Sequence, residues 1–152
     1  MNVKECVVSL EGKVGLIFGI ANEDSIAYGV AKVCRDAGAE VGVTYLNEKA
    51  EPYVRPLAEG LQSAFIMPMD VQQPGQLEAV FEQAKRQWGR LDFLLHALAY
   101  APLKDLRGRL VDCSQEGWNI AMDISVHSFI RMARLAEPLM LGGGSLVTVS
   151  YL

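Results

Sequence analysis

The sequence has few cysteines, few histidines and no long apolar run. Its three cysteines, Cys6, Cys34 and Cys113, lie far apart and form no CxxC pair. A scattered, odd set of this kind argues against a disulfide framework. It reads as reduced thiols, small apolar fillers of a cytoplasmic protein. The two histidines, His96 and His127, are isolated, and no Cys, His or carboxylate cluster has metal-ligand spacing. No stretch approaches the ~20 apolar residues of a membrane span. The opening "MNVKECVVSLEGK" holds too short an apolar stretch for a signal peptide. Basic residues are in deficit, 14 Lys and Arg against 18 Asp and Glu, a net charge of −4 with no basic run. That balance argues against nucleic acid or an anionic membrane as the main partner. Linkers, internal repeats and low-complexity segments are also lacking.

What remains is a globular composition, 51% hydrophobic and 21% charged over 152 residues. This suits one domain over residues 1–152, long enough to bury about two-thirds of its unfolded surface. The apolar pattern changes period repeatedly. "KVGLIFG" (13–19) is a near-continuous apolar run, the mark of a strand covered on both faces. Residues 25–37 turn helical, with Ile26, Val30, Val33 and Ala37 on one face and Gly38 placed to end the helix. "EVGVTYL" (40–46) is strand-like. Residues 48–59 form a weaker helix candidate, disturbed by Pro52 and Pro56, and "SAFIMPMD" (63–70) is a third strand. Pro74 opens a helix with Leu77, Val80, Phe81, Ala84 and Trp88 on one face, stopped by Gly89. A fourth strand covers 91–96, a polar loop 101–113, and a long helix capped by Ser114 runs to about Leu139. "GGGSLVTVSYL" supplies the fifth strand.

Strands alternating with helices over short connections predict βαβ units, hence a doubly wound parallel α/β sheet of the Rossmann type. Ligands of such sheets bind at the carboxyl ends of the strands. Functional residues are therefore expected just after Phe18, Tyr45, Met69, His96 and Val149. After the first strand stands "GIANEDSIAYG", residues 19–29. The common GxGxxG spacing fails, because Ala21 and Asp24 occupy the second and third glycine positions. A longer loop still suits a pyrophosphate. Gly19 gives the tight exit, Ser25 offers a hydroxyl, and Ser25 and Ile26 offer N–H groups at a helix start. A plain strand-to-helix turn is the competing reading.

"LEGKVGLIFGIANEDSIAYGVAKV" resembles the start of bacterial enoyl-acyl-carrier-protein reductases of the FabI type, a divergent branch of the short-chain dehydrogenase/reductases. The resemblance rests on a G-x5-S-x-A spacing matched by Gly19, Ser25 and Ala27. It continues through "VTYLN", "MDV", "LDFLLHALAYAP", "DCSQEGWNIAMDISVHSFIRMARLAEPLM" and "SLVTVSYL". It implies NADH-dependent reduction of a trans-2-enoyl thioester carried by acyl carrier protein, in fatty-acid elongation. Hydride goes to the β-carbon and an enolate forms on the thioester oxygen. By the same resemblance Gly19, Ser25 and Ile26 match pyrophosphate-side contacts. Asp70 and Val71 match the pair that holds adenine, and Leu98 matches a residue over the ribose and nicotinamide. Ala101 matches a small substrate-side position, and Tyr151 an active-site tyrosine that donates to the enolate oxygen or positions the substrate. Seen without the family, Asp70 reads as a turn residue and Tyr151 as a packing residue.

Two departures stand out. "LNE" (46–48) follows the second strand, with Leu46 where many members carry glutamine. Glu48 is the nearest acid for a ribose 2′-OH and reads better as solvated. No arginine there marks a 2′-phosphate clamp, so NADH comes from the family and the residues leave NADPH open. "HALA" stands where many members have a serine and a glycine. The long helix is apolar on more than one side. Its second face packs either within the chain or on another subunit, as in the family's homotetramers. The family's second tyrosine and its lysine lie beyond "SLVTVSYL". The expectation is thus an incomplete domain whose sheet continues past Leu152, an exposed last strand, weak cofactor binding and no turnover. Two other readings remain, a different short-chain reductase such as a 3-oxoacyl reductase and a non-catalytic nucleotide-binding module.

Overall fold

A computed structural model describes residues 8–150. The expectations for Cys6 and Tyr151 fall outside the described residues. Five strands, β1 (Val14–Phe18), β2 (Glu40–Tyr45), β3 (Phe65–Pro68), β4 (Phe93–His96) and β5 (Ser145–Thr148), form one sheet in the order β3-β2-β1-β4-β5. Every pairing is parallel. The chain moves outward from β1 through β2 to β3, then crosses back to lay β4 on the other side of β1. That reversal places a crevice beyond the carboxyl ends of β1 and β4.

The apolar run in β1 is buried along its whole length, because helices cover both faces. On one side lie α1 (Ile26–Asp36) and α2 (Glu51–Gly60), packed through Ala27, Ala31, Val54 and Ala58 onto Ile17, Val41, Val43 and Leu95. On the other lie α3 (Gln76–Trp88) and α5 (Ser128–Ala136), whose Val80, Phe81, Ala84, Met132 and Ala136 meet Leu16, Phe18 and Leu94. Leu16, Ile17 and Phe18 are fully enclosed, each contributing about 1.5–3 kcal/mol of burial.

Several elements differ from the sequence reading for physical reasons. The sheet face of α1 is Ala27 and Ala31, with Ile26 and Val33 exposed at 62% and 56%. Alanines let the helix approach the sheet closely, so small residues claim the face that larger ones were expected to fill. Helix α2 begins at Glu51, because Asn47 Oδ1 accepts from the N–H groups of Lys49 (3.0 Å) and Ala50 (3.1 Å) and holds a turn first. Pro52 then sits in the first turn, where its missing N–H costs nothing. Pro74 precedes α3, which Gly75 and Gly89 bound with left-handed backbones at φ 84° and 67°. Ser114 does cap α4 (Gln115–Met122), its Oγ accepting from Gly117 N–H at 3.0 Å. The long helix is broken by a π-helical turn, Asp123–His127, before α5, and a 3-10 turn, Glu137–Leu139, ends it.

At the opposite end of the sheet, Asp92 ties the start of β1 to the turn before β4. Its Oδ2 accepts from Val14 N–H at 2.9 Å and from Arg90 Nε at 3.3 Å, and its Oδ1 pairs with Lys13 Nζ at 3.3 Å. Desolvation pushes its pKa up, but the Val14, Arg90 and Lys13 donors outweigh it and hold the carboxyl below its ordinary value. Asp92→Ala is expected to lower stability by about 1–3 kcal/mol at pH 7. Because the folded-state pKa is depressed, the difference between the two proteins persists above the unfolded value of about 3.9. It disappears as pH falls through the folded value. Urea midpoints at pH 7 and at pH 3 check both statements.

Strand β5 is exposed along its length, with Leu146 and Val147 at 36% and 51%. Among the described residues no helix is long and apolar enough to cross a membrane.

Candidate nucleotide site

The cleft beyond the carboxyl ends of β1–β4 has a volume of about 440 Å³ and is lined by Gly19, Ile20, Tyr45, Leu46, Asp70, Val71, Leu98 and Tyr100, among others. Four of the residues singled out from sequence, Gly19, Asp70, Val71 and Leu98, therefore share one wall. Ser25 and Ile26 stand beside it at the start of α1, and Ala101 follows Tyr100 at its rim. A larger hollow of about 630 Å³ lies elsewhere, between α1 and β4–β5, and includes Asp92 and Gly143. It gathers none of those residues. Among the described residues, no group of His, Cys, Asp and Glu is arranged to hold a metal.

Gly19 leaves β1 at φ +107°, and a Cβ there would lie 2.2 Å from the Ala97 carbonyl oxygen. Only glycine lets the chain turn this tightly against β4. The loop then closes on Ser25. Its Oγ accepts from Ala21 and Asn22 N–H, both at 3.0 Å, and its hydroxyl donates to Asn22 Oδ1 at 3.2 Å. Its own N–H donates to Asn22 O at 3.2 Å. The Ser25 hydroxyl and N–H, expected to face a ligand, are thus engaged in shaping the loop. Helix α1 thus starts with no side-chain cap, and its first turn holds no acid. Helix α4, by contrast, is capped by Ser114. The uncapped N-terminus of α1 therefore keeps its positive end for an anion.

Asp70 accepts on Oδ1 from Gln72 N–H at 2.9 Å, while its own N–H donates to Gln76 Oε1 at 2.8 Å. It is both a turn residue and a cleft residue. At the end of β2, Leu46 lies 55% exposed on the rim. Behind it, burial and the Glu51 carboxylate raise the Tyr45 phenol, and Glu51 pairs with Arg55.

Beneath the cleft is a polar cluster that sequence reasoning passed over. His96, fully buried at the end of β4, bridges Thr148 Oγ1 on β5 (2.9 Å from Nδ1) and Ser128 Oγ on α5 (2.7 Å from Nε2). Ser128 spends its proton on the Ile124 carbonyl at 2.6 Å, so it accepts from His96 Nε2–H and Thr148 donates to Nδ1. Burial pushes the His96 pKa down. One turn earlier, Ser125 Oγ accepts from Tyr100 N–H at 3.0 Å and donates to Tyr100 O at 3.2 Å. The π-helical turn carries Ser125 and directly precedes Ser128, so it sets both contacts. A histidine ending an apolar strand, and serines on an apolar helix, were the available signal.

A parallel β3-β2-β1-β4-β5 sheet with a glycine turn and an uncapped helix at its crevice defines an α/β domain of the Rossmann type. The family profile for enoyl-(acyl carrier protein) reductase matches residues 19–152. The chain belongs to that family. It is 45% identical over 148 residues to the NADH enoyl-[acyl-carrier-protein] reductase FabI of Synechocystis, covering 95% of this chain and 57% of that protein. With the enzyme of the same name from Rickettsia felis the identity is 43%, covering 93% and 55%. The crystal structure of the Anaplasma phagocytophilum enzyme in complex with NAD superposes with a TM-score of 0.91 at 43% identity, covering 95% of this chain and 55% of that one. A Bacillus cereus enoyl-acyl carrier protein reductase with NADP+ and an indole naphthyridinone gives 0.91 at 38%, covering 95% and 57%. The chain spans little more than half the length of these relatives.

Proposed function

We propose that residues 1–152 form the dinucleotide-binding domain of an NADH-dependent reductase of enoyl thioesters carried on acyl carrier protein. The observation that carries this reading is the convergence of Gly19, Asp70, Val71 and Leu98 on one cleft at the sheet's switch point. The cleft suits the cofactor, because the Gly19 turn carries the chain tightly past Ala97 at the cleft wall and α1 begins uncapped. In this reading the Gly19 turn and Ile26 N–H receive the pyrophosphate. Asp70 and Val71 hold adenine, and Leu98 lies along the ribose and nicotinamide. A bound reduced nicotinamide supplies the hydride. Ala101 leaves room for the acyl thioester, and Tyr151 donates to the oxygen that gains charge. Leu46 carries no charge for or against a 2′-phosphate, so NADH and NADPH are to be compared directly.

We assign the compartment to the cytoplasm and the working state to a homotetramer. The second assignment is supported by an outward row of Trp118, Met122, Val126 and Ile130, spaced by four residues and 39–58% exposed. Nucleotide titration of the 152-residue chain, followed by an assay with a crotonyl thioester, tests the function. The expected result is saturable NADH binding in the high-micromolar to millimolar range without turnover. Absence of NADH binding contradicts the reading, and turnover near that of the longer relatives contradicts the second half of the expectation.

A further inference from the structure

The turn after β3 is held by more bonds than a loop of its length needs. Asp70 N–H donates to Gln76 Oε1, Gln72 N–H to Asp70 Oδ1, and Gln73 N–H to Asp70 O at 3.0 Å. The Val71 carbonyl accepts from Arg131 Nη1 at 2.9 Å, reaching from α5 across 60 residues of sequence. The Val71 N–H is the one backbone donor of residues 70–73 that none of these bonds uses. Arg131 is itself braced. Its Nη2 lies 3.7 Å from Asp123 Oδ2 in the π-helical turn. Its Nε and Nη2 are otherwise buried without a hydrogen-bond partner. The side chain is 32% exposed, yet these two enclosed nitrogens are under-bonded, which is unfavourable for stability alone. Its retained contact is the peptide that adjoins the base end of the cleft.

We propose that Arg131 is a positioning residue that sets base selectivity at the adenine end, by fixing the turn in which the Val71 N–H and the Asp70 carboxylate stand side by side. The proposal rests on the reading that adenine sits against Asp70 and Val71. An acceptor beside a donor matches the amino group and ring nitrogen of adenine. Hypoxanthine, with a carbonyl and a ring N–H at those positions, reverses both. Such a pair discriminates only while its spacing is held, and Arg131 holds one side of it.

The test is calorimetric titration of the chain with NADH and with its hypoxanthine analogue. The unaltered chain binds NADH about tenfold or more tighter, as two mismatched hydrogen bonds require. In Arg131→Met this ratio falls to about threefold or less through weaker NADH binding, with affinity for the analogue within about twofold, and Arg131→Lys recovers most of it. Equal affinities in the unaltered chain overturn the adenine reading and this inference with it. A full ratio in Arg131→Met overturns the inference alone. Should that variant fail to fold, Asp123→Asn leaves the guanidinium in place without its brace. A ratio reduced about twofold then supports the proposal, and an unchanged one overturns it.

Discussion

Gly19→Ala is expected to lower stability by about 2–5 kcal/mol and to remove measurable nucleotide binding. Two effects add. The backbone at φ +107° is one that residues with a Cβ rarely adopt, and the new Cβ would lie 2.2 Å from the Ala97 oxygen and 2.7 Å from its carbonyl carbon. These are backbone atoms of the neighbouring strand, locked in place by the Ala97 N–H to Phe18 O bond at 3.1 Å. Relief therefore requires β1 and β4 to part at the site itself. Gly29→Ala is the matched control. It lies inside α1 with nothing within 4 Å of a built Cβ, so the exchange is expected to stabilise by about 0.5–1 kcal/mol and leave binding intact. Urea unfolding of both variants, with NADH titration, separates these outcomes. Equal stability for Gly19→Ala and the wild type would contradict the geometry.

His96→Ala is expected to cost about 3 kcal/mol at pH 7, from two lost hydrogen bonds and the space the ring leaves. It also changes the pH dependence. Burial depresses the folded-state pKa of His96. In the unfolded chain the imidazole titrates near its ordinary value of about 6.5. Below that pH the unfolded state binds the extra proton, so stability falls as pH drops, by up to about 1.4 kcal/mol per unit until the folded-state value is reached. Above about pH 7 the contribution is complete. His96→Gln should remove this slope between pH 7 and pH 5 while preserving part of the bridge between Thr148 and Ser128. Parallel slopes in the variant and the wild type would show that His96 is not held neutral.

Much of this architecture could be read in the chain because strong local signals agreed. The apolar runs became strands, Gly38 and Gly89 followed helices, and Ser114 capped α4 as its position suggested. The alternation of elements fixed which strand ends gather at the crevice and drew attention to Gly19, whereas Asp70, Val71 and Leu98 were singled out by the family resemblance. What escaped depends on features that apolar patterns do not record. Ala27 and Ala31 contact the sheet because they are small, whereas a pattern search follows Ile26 and Val33. The π-helical turn adds one residue per turn with no composition of its own. Ser25 looks like a ligand residue, and only the folded loop shows its hydroxyl bound to Ala21, Asn22 and the Asn22 side chain. His96, Ser128 and Thr148 are far apart in sequence and meet only once β4, β5 and α5 are assembled.

A nicotinamide adenine dinucleotide bound in the crevice at the ends of β1, β3 and β4 would touch backbone amides from all three strand ends. The most direct measurement is a map of backbone amide shifts in the 152-residue chain during titration with NADH. Saturable changes are expected at Gly19, Ala21, Ile26, Asp70, Val71 and Leu98, with one shared affinity. Changes centred on the hollow at Asp92 and Gly143, or no changes at millimolar NADH, would contradict this placement.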